Sequence, residues 1–188
     1  MDKVKNMINI AICGKMASGK TTLANYLLKE EQYEVMSLAG QVKRLGRDLF
    51  GMKNKDRVLL QKIGMKMREI KPSVWIDYLV NQASEVNQSM YNVVVDDVRF
   101  INEAKRFKNE GWLLIKMDIK EDLQIERLKN TYPTDWEMHV ANRTDMSELE
   151  VDQIPDDWFD LIISAEQDDG DYSEVVELIK SSIITLES

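Results

Sequence analysis

Five short apolar runs recur along the chain, and each is flanked by polar or turn-forming residues. Short runs of apolar and β-branched residues are typical of strands that are buried on both faces. Between them lie longer stretches with apolar residues every three or four positions, which is the helical period. This alternation predicts an α/β fold in three layers, with helices on both sides of a five-stranded parallel sheet. The predicted strands cover residues 8–13, 33–38, 91–95, 112–117 and 160–164.

The helical segments divide the predicted fold into a central part and two peripheral regions. Residues 39–88 contain three consecutive helical patterns and are interpreted as a helical insert. Residues 130–155 are polar and show neither period, so they are predicted to be irregular and, with the preceding helix, to form a lid region over 121–155. His139 lies in this segment and is interpreted as an exposed loop residue. Residues 1–188 are predicted to form one domain that begins with a polar leader.

Composition limits the classes of protein to consider. The chain has 188 residues, 44% hydrophobic and 31% charged, with a net charge of −8. No apolar run approaches the roughly 20 residues of a membrane span, so no membrane partner and a cytoplasmic location are expected. Cys13 is the only cysteine, which excludes an internal disulfide. Residues 41–71 hold ten Lys/Arg and three Asp/Glu. This local positive charge favours a small anionic substrate over a nucleic acid polymer.

The motif around which the chain is organised is Gly14-x-x-x-x-Gly19-Lys20-Thr21, which follows the first predicted strand and precedes a helix. This order is the one that a phosphate-binding P-loop (the Walker A motif) requires. Its glycines let backbone N–H groups converge on a phosphate at the positive end of the helix. Lys20 is expected to contact the β- and γ-phosphates of ATP, and Thr21 to bind Mg²⁺. The predicted ATP-binding residues are Gly14, Lys15, Ala17, Ser18, Gly19, Lys20, Thr21, Thr22 and, from the polar segment, Arg143.

A second cluster, Asp96-Asp97-Val98-Arg99, follows the third predicted strand. Ligands of an open parallel sheet bind beyond the carboxyl ends of its strands, so this cluster should face the P-loop. Asp97 is expected to bind or support Mg²⁺ or to orient an acceptor oxygen, and Arg99 to pair with a phosphate through two N–H groups. Arg127 could supply positive charge from a closing lid, as could Arg143, or each could be a surface arginine. The predicted catalytic residues are Lys20, Asp97, Arg99 and Arg127, and the predicted metal ligands are Thr21 and Asp97.

Candidate acceptor-binding side chains lie mainly in the helical insert. Four cations could hold the anionic group of the acceptor: Lys43, Arg44, Arg57 and Arg68. Gln61 can make paired hydrogen bonds to an amide-like edge of a base. Trp75 either stacks on that base or packs in the core, and the sequence leaves both interpretations open. The predicted substrate-binding residues are Lys43, Arg44, Gln61, Arg68, Trp75 and Arg99.

Together these motifs resemble the bacteriophage deoxynucleoside monophosphate kinases, within the P-loop nucleoside monophosphate kinase fold. Residues 37–43 (SLAGQVK) are similar to the family's Leu-Ala-Gly-x-x-Lys segment, and residues 57–64 (RVLLQKIG) to its second signature. The most specific match is residues 97–103 (DVRFINE), which resemble the family's Asp-x-Arg-Phe-x-Asn-Glu segment. The chain departs from the family pattern near the end of the lid. It reads Asp145-Met146-Ser147-Glu148 where the family often has His-x-Ser-Glu.

The resemblance implies a reaction in which the γ-phosphoryl group of ATP is transferred to a deoxynucleoside 5′-monophosphate, giving the diphosphate and ADP. It implies that Lys20 and Thr21 serve ATP and Mg²⁺, and that Lys43, Gln61 and Arg99 serve the monophosphate. Residues 39–88 would then be a monophosphate-binding insert. The implied partners are small nucleotides, the implied assembly is a monomer or homodimer, and the implied location is the host bacterial cytoplasm if the protein is phage-encoded.

Two other functions stay open on the sequence alone. Phosphomevalonate kinases share much of the same outline, including the Asp-x-Arg turn, although the Phe-x-Asn-Glu continuation favours the nucleotide enzymes. The other alternative is a nucleotide switch or ATPase that transfers no phosphate. A GTPase needs Asn-Lys-x-Asp after a late strand, whereas residues 54–57 (NKDR) miss the fourth position and lie in the wrong region.

Overall fold

A computed structural model describes residues 8–30, 32–144, 146–167 and 171–186. The strands are β1 (Ile10–Gly14), β2 (Tyr33–Met36), β3 (Asn92–Val98), β4 (Leu113–Asp118) and β5 (Leu161–Ser164). Within the described residues they form one sheet in the order β2-β3-β1-β4-β5. Every pair of neighbouring strands is parallel. The five-stranded parallel sheet predicted from the apolar runs is therefore confirmed. The polar leader at residues 1–6 and Asp145 lie outside the described residues.

Helices cover both faces of the sheet. The helix after the P-loop is α1 (Lys20–Lys29), and the region between β2 and β3 contains α2 (Leu38–Phe50), α3 (Arg57–Ile70) and α4 (Val74–Gln88). Further along lie α5 (Ile101–Asn109), α6 (Glu121–Thr131), α7 (Trp136–Ala141), α8 (Met146–Leu149) and α9 (Ser173–Leu186). In the part of the chain that the structure describes, no helix has the length and apolar character needed to cross a bilayer.

The central strand β1 is buried along its whole length and divides the core into two halves. Ala11 and Cys13 pack in one half, together with residues of α2 to α5. Ile10 and Ile12 pack in the other half, together with residues of α1 and α9. Successive side chains of a strand point to opposite faces, and this is why β1 can be apolar at every position. Burial raises the pKa of the Cys13 thiol to about 12, so this cysteine behaves as a small apolar core residue.

Strand β3 extends three residues beyond the predicted strand and contains a bulge. Ala11 of β1 pairs with Val95, but Cys13 pairs with Val98, so β3 has one extra residue between these two pairs. A bulge of this kind changes the directions of the side chains next to it and is common beside active sites. The two carboxylates expected directly after the strand, Asp96 and Asp97, therefore lie within its irregular last part.

The prediction that residues 130–155 are irregular is wrong, because short helical turns occupy much of this segment. They include α7, α8 and the 3-10 turns Asn142–Thr144 and Glu150–Gln153. His139 is only 3% exposed and stacks on the ring of Tyr132 at a centroid distance of 3.8 Å, so its interpretation as an exposed loop residue is also wrong. Turns this short contain too few residues to show a helical period.

Candidate active site

The P-loop turns from β1 into α1 and folds around Lys20. Gly19 has a φ of +95°, and a Cβ atom at this position would lie 2.1 Å from the Tyr172 hydroxyl oxygen. A side chain is excluded here by both conformation and space. Lys20 is 7% exposed, and its Nζ donates a hydrogen bond to the Lys15 carbonyl oxygen at 2.5 Å. Burial, and next the positive charge of Arg99, lower the pKa of Lys20 to about 7.

Two side chains of α6 bind the backbone of the P-loop. Gln124 Nε2 donates to the Met16 carbonyl oxygen at 2.9 Å, and Arg127 Nη1 donates to the Ala17 carbonyl oxygen at 3.3 Å. Arg127 Nη2 also donates to the Ala165 carbonyl oxygen at 2.9 Å. Arg127 thus contacts the P-loop from α6, within the predicted lid region, and its role in supplying positive charge to a phosphate stays a prediction. The sequence analysis missed Gln124, although its spacing of three residues from Arg127 places both side chains on one helical face.

The carboxylate beside Thr21 is Asp96, not the predicted Asp97. Thr21 Oγ1 donates a hydrogen bond to Asp96 Oδ2 at 2.6 Å. Asp97 instead accepts hydrogen bonds at the start of α2, from the hydroxyl of Ser37 at 2.7 Å and from the backbone N–H groups of Leu38 and Ala39, both at 2.9 Å. Hydroxyl and carboxylate oxygens suit Mg²⁺, which is usually held by one or two carboxylates together with substrate phosphates. Thr21 and Asp96 fit this ion, whereas the Asp97 oxygens are already used as helix caps.

Arg99 lies just after β3, with its side chain 27% exposed. Its guanidinium pairs with Glu148 of α8, and burial lowers its pKa. Glu103 of α5 accepts hydrogen bonds from the backbone N–H groups of Arg99 at 3.1 Å and Phe100 at 3.2 Å, and from Arg68 Nη2 at 3.2 Å. Burial raises the pKa of Glu103 to about 7. Glu103 therefore connects α3 to the loop that carries Arg99, a role that sequence analysis missed although residue 103 belongs to the 97–103 motif.

The other predicted ATP-binding cations take part in ion pairs. Lys15 Nζ lies 2.7 Å from Asp152 Oδ2, and Arg143 Nη1 lies 2.8 Å from Glu121 Oε1. The first pair joins the region 121–155 to the P-loop, and the second pair lies within that region. To bind ATP as predicted, Arg143 would have to leave Glu121 and pair with a phosphate instead.

The predicted acceptor-binding residues are distributed over several helices. Arg44 is exposed and lies 3.4 Å from Asp48 of its own helix. Trp75 is 4% exposed, and its Nε1 donates to the Gly64 carbonyl oxygen at 3.2 Å. Trp75 therefore packs in the core, but it also lines the pocket described below, so stacking on a base stays a prediction.

Lys43 on α2 is half-buried, whereas Gln61 on α3 is exposed. A pocket of about 190 Å³ lies beyond the end of β2, between α2 and α4. Its lining includes Trp75 and the polar side chains of Gln41, Tyr78 and Gln82, and the sequence analysis predicted none of these three polar side chains as substrate-binding. The sequence does not show that they lie together, because they meet only when α2 packs on α4.

A glycine-rich loop closing on a buried lysine, at the carboxyl edge of a parallel sheet, defines a P-loop nucleotide-binding protein. A family model described as "AAA domain" (AAA_18) matches residues 10–150, so the chain belongs to this family. Among solved structures, it is similar to a candidate kinase from Chloroflexus aurantiacus, at 18% identity and a TM-score of 0.60, covering 95% of this chain and 99% of that one. It is also similar to a sugar kinase from a Janibacter species, at 13% identity and a TM-score of 0.56, covering 97% and 95%. The fold is therefore that of P-loop kinases.

The chain is also similar in sequence to proteins of a different class, the tRNA modification GTPases. The chain is 29% identical to the tRNA modification GTPase MnmE of Flavobacterium psychrophilum over 97% of this chain and 36% of that protein. The corresponding protein of Flavobacterium johnsoniae is 28% identical over the same shares. The chain thus spans about a third of the length of these relatives.

Proposed function

We propose that this chain is a phosphotransferase that moves the γ-phosphoryl group of ATP to a deoxynucleoside 5′-monophosphate. The observation that supports this most directly is a pair of cations, Lys20 and Arg99, near the carboxyl ends of the neighbouring strands β1 and β3. Both have pKa values lowered by burial, and the charge of Arg99 contributes to the shift at Lys20. Two neighbouring like charges in a desolvated site repel each other and favour the binding of an anion. A transferring phosphoryl group is such an anion.

The donor side of the proposed reaction uses the P-loop. Its backbone N–H groups and Lys20 would hold the phosphates of ATP, and the oxygens of Thr21 and Asp96 would hold Mg²⁺. The ion supplies positive charge that offsets the charge developing on the phosphates. Arg99 would bind the group in transit through its planar fork of N–H donors. Phosphoryl transfer needs mainly positioning and positive charge, and these residues supply both.

The acceptor side is proposed from charge and from the resemblance. Residues 41–71 carry a strong excess of Lys and Arg, and α2 and α3 place Lys43 and Arg68 in this region. A phosphorylated acceptor fits that charge better than a neutral one. The motif at residues 97–103 resembles the deoxynucleotide enzymes and favours a deoxynucleoside monophosphate over phosphomevalonate. In this proposal the region 121–155 keeps water from the transferring group.

The similarity to MnmE favours a second candidate, a GTPase that hydrolyses its nucleotide. The match extends over 97% of this chain. Against it, the chain has no Asn-Lys-x-Asp run after a late strand, which is the guanine-binding pattern. The two candidates differ in the nucleotide that they prefer and in their need for an acceptor.

One assay separates them. Release of nucleoside diphosphate is measured with ATP or GTP as donor, in the presence of Mg²⁺, alone and with dAMP, dGMP, dCMP, dTMP, dUMP or mevalonate 5-phosphate. The proposal predicts ADP release that depends on at least one deoxynucleotide. Full-rate hydrolysis without an acceptor would refute it, and activity confined to mevalonate 5-phosphate would reassign the acceptor.

A pair of variants tests the role of Arg99 in the same assay. Arg99→Lys keeps the charge but loses the paired N–H groups, so turnover should fall at least about tenfold. The matched control is Arg106→Lys on α5, whose arginine pairs with Asp77 and Glu110. The control should retain turnover within about twofold of the wild type, because surface ion pairs contribute little. Equal turnover in both variants would remove Arg99 from the proposed site.

A further inference from the structure

A buried carboxylate, Glu148, connects the two halves of the candidate site. It lies on α8 and is 2% exposed. One oxygen, Oε2, accepts a hydrogen bond from the backbone N–H of Met16 in the P-loop at 2.8 Å, and the other, Oε1, pairs with the Arg99 guanidinium. Met16 and Glu148 are 132 positions apart in the chain. A single side chain thus bridges the loop assigned to the donor and the arginine assigned to the transferring group.

The segment that carries Glu148 is anchored on both sides of the site. Val151 and Ile154 are each 2% exposed and pack in the core. Glu150 Oε2 accepts a hydrogen bond from the backbone N–H of Ile101 at 3.2 Å. Asp152 pairs with Lys15 of the P-loop at 2.7 Å. Residues 148–154, here called the strut, are thus held beside the P-loop and α5 by the buried side chains of Val151 and Ile154 and by these two polar contacts, and Glu148 lies at the start of the strut.

The charges around Glu148 explain why a carboxylate suits this position. Arg99 and Lys20 repel each other, as the lowered pKa of Lys20 records. The Glu148 carboxylate pairs with Arg99, and an acidic group at this position offsets positive charge next to Lys20. A guanidinium has five N–H donors, so pairing with Glu148 leaves others for a phosphate. An arginine that is already fixed loses less conformational entropy when the transition state forms.

We propose that Glu148 is a positioning residue that holds Arg99 and the P-loop in the relative orientation needed for phosphoryl transfer. The inference rests on the proposed function, and it extends that function to a residue outside both the P-loop and the 97–103 motif. It assigns the effect of Glu148 to turnover and not to nucleotide affinity, because the carboxylate acts through Arg99 and a backbone N–H. The opposite possibility is that Glu148 occupies the place of a phosphate and competes with the nucleotide.

The test compares Glu148→Gln with the wild type. Glutamine keeps an acceptor for the Met16 N–H but removes the charge that holds Arg99. We expect kcat to fall about 100-fold, as for a small misplacement of a catalytic group. KM for the acceptor and Kd for an ATP analogue should stay within about threefold. The matched control is Glu137→Gln, which removes a charge from an exposed position on α7 and should leave kcat within about twofold of the wild type.

A double-mutant cycle separates positioning from a general structural role. If Glu148 acts through Arg99, adding Glu148→Gln to Arg99→Lys should lower kcat by less than about threefold more. Full additivity of the two effects, or a fall in kcat matched by a fall in Tm, would overturn the inference. Tighter binding of the ATP analogue by Glu148→Gln, with kcat retained, would instead identify the carboxylate as a competitor of the phosphate.

A measurement that does not depend on catalysis tests this inference separately from the proposed function. In protein labelled with ¹⁵N-arginine, the Nη–Hη signals of Arg99, assigned with Arg99→Lys, should be resolved in the wild type. They should merge in Glu148→Gln as the guanidinium rotates freely. If these signals behave as expected but no acceptor is phosphorylated, the proposed function is wrong, whereas the inference that Glu148 orients Arg99 is supported. If the signals are merged in the wild type, the inference fails whatever the protein catalyses.

Discussion

Lys20 should make nucleotide binding depend on pH in a range where lysine is normally inert. It is 7% exposed, and burial and Arg99 lower its pKa to about 7 against an ordinary value of 10.5. A triphosphate placed against Nζ favours the charged form and raises this pKa again. Above pH 7, binding must therefore be accompanied by the uptake of one proton, and affinity falls as the pH rises.

The size of the effect follows from the shifted pKa. With a pKa of about 7, half of Lys20 is protonated at pH 7 and about 1% at pH 9. Affinity should then fall roughly 50-fold between these values, or ~2.3 kcal/mol, provided that the pKa in the complex lies above 9. The second ionisation of a phosphate, near pKa 6, is complete above pH 7 and adds little to the slope.

Isothermal titration calorimetry with a non-hydrolysable ATP analogue and Mg²⁺ measures this directly between pH 7 and 9. Repeating each titration in two buffers with different ionisation enthalpies gives the number of protons taken up, which should approach one at pH 8.5. The control is Lys20→Arg, which keeps a positive charge throughout the range because arginine does not deprotonate in proteins. Its affinity should vary much less with pH than that of the wild type.

A dissociation constant that stays within threefold from pH 7 to 9 would refute this reasoning, as would an equal pH dependence of affinity in Lys20→Arg.

The same pKa shift also sets the direction in which the free energy of unfolding changes with pH when no nucleotide is bound. Between pH 7 and 10.5 the unfolded chain binds more protons at Lys20 than the folded chain does. The contribution of Lys20 to the free energy of unfolding should therefore rise with pH across this window and be least favourable below pH 7.

Three further predictions concern single side chains. Asp97→Ala should lower the free energy of unfolding by about 2 kcal/mol in urea titrations, because the backbone N–H groups at the start of α2 lose their acceptor; a stability equal to the wild type would contradict this capping role. Asp96→Asn should raise the Mg²⁺ concentration needed for ATP-analogue binding about tenfold and change stability little, since it removes the carboxylate beside Thr21; an unchanged Mg²⁺ titration would place the ion elsewhere. Trp75→Phe should cost about 1 kcal/mol of stability through the lost bond to Gly64, with acceptor KM unchanged; a raised KM would restore the base-stacking interpretation.

Features encoded by neighbouring residues were predicted well. Strand β1, the P-loop and α1 follow one another within about 20 positions, so periodicity and glycine spacing suffice to place them. The parallel sheet followed from the alternation of apolar runs with helical segments and is confirmed. Two failures within the fold, the helical turns in 130–155 and the burial of His139, concern short elements whose buried residues face a core built by distant parts of the chain.

The sequence by itself determined the fold class and the phosphate loop. Only the tertiary structure decided that Asp96 and not Asp97 faces Thr21, because both residues lie where the register of β3 against β1 shifts by one residue. It also decided that Glu148 meets Met16 and Arg99, which requires the strut to pack against the core. Periodicity reports which face of an element is buried, but the partner of a polar side chain depends on how separate elements pack, and that information is not local.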